Sequence, residues 1–160
     1  MRIGITGHQR LEDELRWSWV DSVITSEIAR YAPPVEGITS LAIGADQLFA
    51  RLVLAAGGRL HAVLPYENIE RSFSAGDVQA FRDLLSKATV EVLDTPGSDE
   101  DAYLAAGLRV AAMSNLLIAV WDGQAAKGKG GTADVVEYGR AKGIPLLIID
   151  PVSQAVTRSS

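Results

Sequence analysis

The sequence predicts an α/β fold: a Rossmann-like, doubly wound, mostly parallel sheet of about six strands with helices on both faces. Three observations carry this. Short aliphatic and β-branched runs alternate with longer segments whose apolar residues recur at helical spacing. Glycine and proline punctuate the junctions between them. One run, Leu116–Trp121, is apolar throughout, as a strand covered on both faces must be.

Each element follows in order. Arg2–Thr6 reads as a strand ending at Gly7. Leu11–Tyr31 reads as a helix, with Leu15, Val20, Val23, Ile24, Ile28 and Tyr31 on one stripe and Pro33-Pro34 ending it. Ile38–Ile43 is a second strand, stopped by Gly44. Asp46 is expected to cap a helix running to about Ala56, with Gly57-Gly58 beyond its end. Leu60–Leu64 is a third strand, and residues 66–76 read as a loop. Asp77–Lys87 is helical and Val90–Leu93 a short strand. Asp99 or Asp101 opens a helix to about Met113, ahead of the apolar strand. A Gly/Lys-rich loop, 122–132, leads into a helix over Ala133–Lys142, and Leu146–Ile149 is the last strand. Residues 1–150 are thus expected to form a single domain, and 151–160 a polar tail.

Composition narrows the chemistry. A chain of 160 residues is one domain by size. It has no cysteine, which excludes disulfides, thiolate catalysis and iron–sulfur ligation by its own side chains. Two histidines, His8 and His61, leave little for a histidine metal site, and no metal is expected. Lys plus Arg is 15 against 20 for Asp plus Glu, a net charge of −5, so nucleic acid is not the expected partner. The opening MRIGITGHQR has no apolar leader, and no stretch is long enough to span a membrane. A cytoplasmic protein is expected. The Ala/Leu-rich helix Ala102–Met113 could pair two copies across a two-fold axis.

A doubly wound sheet binds ligands at the carboxyl ends of its strands, near the point where strand order reverses. The sequence places a short list of residues at that edge. Gly7, His8 and Arg10 follow the first strand; Gly44, Asp46 and Gln47 follow the second; Tyr66 follows the third; Asp122 follows the apolar strand. Gly130, Gly131 and Thr132 stand directly before a helix, where backbone amides and the helix dipole suit a phosphate. An ordinary loop with a threonine cap is the alternative. Lys127 and Lys129 could add counter-charge. Arg10 suits a phosphate or carboxylate, or else pairs with Glu12 or Glu14. If the two glycine loops share one phosphate, Leu116–Trp121 must lie beside Arg2–Thr6, and Val90–Leu93 must lie toward an edge. The first turn lacks G-x-G-x-x-G and no G-x-x-x-x-G-K-[ST] occurs, which disfavours a nicotinamide dehydrogenase and a P-loop NTPase. Asp122 and Glu137 are the carboxylates that could act as base or nucleophile. Arg109 could reach the same edge from its helix.

The segments ITGHQRL (5–11), AIGADQLFARL (42–52), LRVAAMSNLLIAVWDG (108–123) and GKGGTADVVEYGRAKGIPLLIID (128–150) together resemble the SLOG superfamily, the SMF/DprA–LOG Rossmann-like proteins. The nearest look is to its YpsA-like and TIR-associated members, over nearly the whole chain. The resemblance implies a pocket for a nucleotide or nucleotide-derived ligand. Some members sense ADP-ribose-like signals, some hydrolyse nucleoside monophosphates, and some bind DNA. Arg109, four residues before Met113, resembles the arginine of the hydrolytic LOG proteins. Their PGGxGTxxE loop is matched only in part: the proline is missing and Glu137 lies five residues after Thr132 rather than three. The helix GTADVVEYGRAKGIP is also similar to nucleoside deoxyribosyltransferases. The expectation is therefore binding of a nucleoside phosphate or ADP-ribose-like molecule with no cofactor required. The alternative is an N-glycoside hydrolase or transferase acting on nucleoside monophosphates.

Overall fold

A computed structural model of the chain describes residues 1–11, 13–125 and 131–160. Seven strands form one sheet: β1 (Arg2–Gly7), β2 (Glu36–Thr39), β3 (Arg59–Leu64), β4 (Ala88–Val92), β5 (Leu116–Val120), β6 (Leu146–Asp150) and β7 (Ala155–Ser159). Their order is β4-β3-β2-β1-β5-β6-β7. The first six are parallel, and β7 runs antiparallel along β6. Five helices connect them: α1 (Glu14–Ile28), α2 (Ala45–Ala55), α3 (Ala75–Leu85), α4 (Asp99–Ala112) and α5 (Thr132–Ala141).

The core lies in two layers, one on each face of the sheet. Val20, Ile24 and Ile28 of α1, Phe49, Ala50 and Val53 of α2, and Phe81 and Leu84 of α3 pack on Ile3, Ile5, Ile118 and Val120. Ala106 and Val110 of α4 and Val135 and Val136 of α5 pack on Leu117, Ala119 and Leu146. Successive residues of β5 thus enter opposite layers, and all five are buried. That is why Leu116–Val120 shows no polar alternation.

The expected adjacencies hold: β5 pairs with β1 from Ile3↔Leu116 to Gly7↔Val120, and β4 is an edge. Three expectations need correction. The sheet has seven strands, because residues 155–159 are not a loose tail. Every residue of β7 is exposed, so it shows none of the burial pattern that marks a strand in sequence. An ion pair holds it: the Arg158 guanidinium donates to Glu27, a carboxylate on α1 that is 2% exposed. The second strand ends at Thr39 rather than Ile43. Ser40 N–H turns to Asp46 Oδ2 (3.0 Å), and Leu41 adopts a left-handed φ of 57° with its N–H on Thr39 Oγ1 (3.0 Å). Asp46 itself does not cap α2. Gly44 is the N-cap, and the Asp46 carboxylate points back into the β2–α2 connection.

Strand order reverses between β1 and β5. The β1–α1 connection leads toward β2 and the β5–α5 connection toward β6, on opposite faces. The loops therefore diverge at the carboxyl ends of β1 and β5 and leave a crevice there.

Candidate functional site

The crevice is a cleft of about 430 Å³. Its floor is the carboxyl end of β1, from Ile5 to Gly7, continuing into His8 and Gln9. One wall is Ser40, Ala42 and Asp46 from the β2–α2 connection. Trp121 and Asp122 follow β5, and the far wall is Gly131, Thr132 and Ala133 at the start of α5. Tyr103 and Gly107 of α4 close it from the second face.

The two helix N-termini beside the cleft differ in what their amides already do. In α2, Ala45 N–H donates to the His8 carbonyl (3.1 Å) and Gln47 N–H to Ala42 (3.3 Å). That end is occupied by the protein's own backbone, which ties the β1–α1 and β2–α2 loops together. In α5, Gly131 is the N-cap and supplies no side chain, and its carbonyl accepts from Asp134 (3.1 Å) and Val135 (3.4 Å). The Thr132 and Ala133 amides make no hydrogen bond among the described residues. Among the described residues the α5 end therefore keeps donors without a partner where the helix dipole is positive, the arrangement that favours an anion.

His8 and Asp122 meet at the middle of the cleft, with Nε2 3.5 Å from Oδ1. Asp122 Oδ1 also accepts from Gln124 N–H (3.1 Å), and the Trp121 indole N–H donates to the Gln124 carbonyl (2.8 Å). These bonds fold residues 121–124 into a turn that holds the carboxylate beside His8. The Arg140 guanidinium lies 5.9 Å from the Trp121 ring centroid.

Asp46 is a buried carboxylate, 6% exposed, that accepts from Thr39 Oγ1 and Ser40 N–H on one oxygen, both at 3.0 Å. Burial pushes its carboxyl up from the ordinary 3.8 to about 6, against hydrogen bonds from Thr39, Ser40 and Ala42 that hold it down. The folded state then keeps a proton that the unfolded chain releases between about pH 4 and pH 6. Stability falls as pH rises through that window, by about 3 kcal/mol from this group at 1.36 kcal/mol per unit. Asp46→Asn should remove the effect. Urea unfolding of both proteins should show the parent losing about 3 kcal/mol relative to the variant between pH 4 and pH 7. A difference that does not change with pH contradicts the assignment.

Of the residues named from sequence, Gly7, His8, Asp46, Asp122, Gly131 and Thr132 come together on the cleft. Gly130 lies outside the described residues, as do Lys127 and Lys129. The others do not line the cleft. Gly44 is structural, its φ of +92° placing it against the His8 and Gln9 carbonyls. Gln47 is buried, with Nε2 donating to the Leu41 carbonyl (3.1 Å). Arg10 is exposed and forms no ion pair among the described residues. Glu137 is exposed on α5, since Val135 and Val136 take the buried face. Arg109 donates to Glu91 of β4 (3.1 Å), which also meets His61 Nε2 (3.2 Å), away from the cleft. Tyr66 reaches the cleft only through Tyr103, its hydroxyl 3.3 Å from the Tyr103 hydroxyl and the rings edge to face at 5.9 Å. Sequence reasoning passed over Tyr103 as a cleft residue. The signal available for Tyr103 was its place in the first turns of α4, which begins at the carboxyl edge.

No family model matches the sequence, and no curated protein matches it. Solved structures do. DNA processing protein A from Helicobacter pylori, described for its single-stranded DNA binding mode, matches the whole chain at 14% identity and a TM-score of 0.67, over 68% of its own length. DNA processing protein A (DprA) from Streptococcus pneumoniae matches 93% of the chain at 17% identity and a TM-score of 0.69; the chain spans half of that protein. The Moco carrier protein from Chlamydomonas reinhardtii matches 92% of the chain at 19% identity and a TM-score of 0.54, over 74% of its own length. The likeness is one of fold, and it is the SLOG-type Rossmann-like fold that the sequence motifs resemble. It also withdraws the exclusion of nucleic acid on charge, because a net charge of −5 describes the chain and not one strip of its surface. Among the described residues no group of three acidic or histidine side chains could hold a metal ion, and no helix is long and apolar enough to cross a membrane.

Proposed function

We propose that the cleft binds a nucleotide or nucleotide-derived ligand, a nucleoside phosphate or ADP-ribose-like molecule, with its phosphate at the start of α5. The observation that carries this reading is the pair of amides of Thr132 and Ala133, which make no hydrogen bond among the described residues and line the same cleft as Gly7 and His8 at the strand-order reversal. Backbone donors and a helix dipole take an anion without any basic side chain, so a chain of net charge −5 can still hold a phosphate. His8 adds a donor, and Asp122 accepts from sugar hydroxyls.

Thr132→Pro tests the reading. Proline is favoured at the first position of a helix, and Gly131, at φ −74° and ψ 169°, already has the extended geometry required before it. The substitution removes the Thr132 amide proton and hydroxyl while leaving the helix intact. Calorimetry with nucleoside monophosphates and ADP-ribose should show affinity falling about 30-fold, or about 2 kcal/mol for a charged hydrogen bond, with the melting temperature held. Unchanged affinity would mean that the phosphate lies elsewhere.

The hydrolytic alternative rests on the Asp122–His8 pair, since Glu137 and Arg109 stand off the cleft. Asp122 would stabilise a developing oxocarbenium sugar and His8 would exchange a proton with base or water. Chromatography for free base released from nucleoside monophosphates, lost in Asp122→Asn, decides for it; no release decides for binding alone. The fold's likeness to DNA processing protein A supports a third use, single-strand binding, which a salt-dependent gel shift would register.

A further inference from the structure

Among the described residues the sheet ends in two strands that each pair on one side only, β4 and β7. An edge strand presents a row of unpaired N–H and C=O groups, and proteins ordinarily guard it with proline, lysine, a free charge or a bulge. The sequence of β4, Ala88–Val92, holds no proline and no lysine. Its one charge, Glu91, is already held: Arg109 Nε donates to Oε1 (3.1 Å), and His61 Nε2 lies 3.2 Å from Oε2. Val90 and Val92 are each 43% exposed. They share a face with Ala88, since Leu60, Ala62 and Leu64 opposite these three all enter the core layer under α1, α2 and α3.

The ladder sets the direction of the free backbone groups. Leu93 N–H donates to the Leu64 carbonyl (2.9 Å), just beyond the parallel pairs that run from Leu60↔Ala88 to Leu64↔Val92. Backbone polar groups alternate sides along a strand. Those of Thr89 and Glu91 therefore turn toward β3, as at Leu93, and those of Ala88, Val90 and Val92 turn outward. Three outward residues with Val90 in the middle are complementary to an antiparallel copy of themselves about a two-fold axis at Val90. In that register Val90 opposes the partner's Val90 and Ala88 opposes the partner's Val92, each pair exchanging two hydrogen bonds. The side chains agree: the valines and alanines make one apolar row, and Thr89 opposes the partner's Glu91, so no like charges meet. Centring the axis on Glu91 would set two carboxylates opposite one another. Lys87 and Asp94, both exposed, flank the strand, and an antiparallel copy brings each Lys87 to the end where the partner's Asp94 stands. The other edge has no such fit. Beside β7, Arg158 and Arg30 outnumber Glu27, and a second copy there would set cation against cation.

We infer that β4 is the interface of a symmetric dimer, its occupant a second copy of this chain, with the two sheets made continuous through a pair of antiparallel β4 strands. The cleft at β1 and β5 lies beyond β3 and β2 and stays open in such a dimer. Because the chain has no cysteine, single cysteines test the register directly. Opposed residues in a hydrogen-bonded antiparallel pair have Cα atoms about 5.5 Å apart, within reach of a disulfide. Val90→Cys treated with oxidised glutathione should run as a linked dimer on a non-reducing gel. Thr89→Cys, which opposes the partner's Glu91, and Thr157→Cys on β7 should not. Sedimentation equilibrium of the parent should show a species of twice 17.0 kDa. Val90→Pro removes an outward amide and leaves the β3–β4 ladder intact, and should raise the dimer Kd about tenfold or more. Lys87→Glu should weaken the dimer about fivefold, and adding Asp94→Lys should restore it. Where Val90→Pro does not fold, the cysteine variants and the charge exchange decide alone. A parent that is monomeric at every concentration overturns the proposal. So does a dimer that links through Thr157→Cys instead of Val90→Cys, or one that folded Val90→Pro leaves unchanged.

Discussion

Gly44→Ala is expected to destabilise the protein by about 4 kcal/mol or more and to abolish ligand binding with it. Two separate costs meet at this position. Its φ of +92° and ψ of −122° lie where only glycine rests without strain, a cost of about 1–3 kcal/mol for any other residue. A Cβ there would also stand 2.3 Å from the Gln9 carbonyl oxygen and 2.5 Å from that of His8. Both obstacles are backbone, so no rotamer change relieves the overlap. The loop carrying His8 would have to move, breaking the bond from Ala45 N–H to the His8 carbonyl. The cleft would lose its floor in the same step. Gly57→Ala is the control: φ there is +75°, nothing lies within 4 Å of the added carbon, and about 1 kcal/mol is expected. Urea unfolding of the two variants checks the contrast, and equal losses would contradict it.

Arg158→Met is the second large effect, about 3 kcal/mol, felt on the opposite side of the molecule. Glu27 is almost wholly buried; burial alone would push its carboxyl up. Hydrogen bonds from Arg158 and Tyr31 and the charges of Arg158 and Arg30 outweigh that and hold it below the ordinary range. Its partners are the Tyr31 hydroxyl at 2.9 Å, the Arg158 guanidinium and, more distantly, Arg30 Nε at 3.7 Å. Removing Arg158 leaves a buried charge with an exposed arginine and one phenol, and this is costlier than never having had the pair. The double substitution Glu27→Met with Arg158→Met should therefore lie within about 1 kcal/mol of the parent. The pair also sets an acid limit. A carboxyl depressed in the folded state contributes stability above its unfolded value of about 4.5, lost as pH falls through the folded one. Hydrogen exchange at the β6–β7 ladder gives a local readout: Arg158→Met should release β7 while β1 and β5 keep their protection. A single variant as stable as the parent would show that β7 is held otherwise.

Much of the framework was readable because its physics is local. Strands covered on both faces, such as Leu116–Val120, are apolar by necessity, and helices such as α2 carry one buried stripe. The adjacency of β1 and β5 followed from asking one phosphate to meet two glycine loops. What escaped notice depends on partners distant in sequence. The strand at 155–159 is invisible in its own residues because its anchor, Glu27, sits on the first helix. Asp46 reads as a helix cap in isolation and becomes a buried acceptor only once Thr39 and Ser40 are placed around it. Glu137 looked chemical beside Thr132. The neighbouring valines claim the inward face of α5, and the glutamate is left in solvent. Tyr103 and Tyr66 find each other across 37 residues, a pairing no spacing rule reveals.

The pairing of β1 with β5 also governs when the site exists. Arg2 N–H donates to Asn115 Oδ1 (2.9 Å) across a separation of 113 residues, and the two strands run side by side from there to the cleft. One wall of the cleft is complete by Asp46; the other does not begin until Tyr103 and ends with α5. If the cleft binds a nucleotide as proposed, an early folding intermediate that lacks β5 could not hold it, so the nucleotide would not act as a template during synthesis of the first hundred residues. Closing so long a loop is a slow step, and ligand binds only after it. All of the binding energy of such a ligand would then be added to the fully assembled protein, raising its stability by mass action and leaving the partly folded forms untouched.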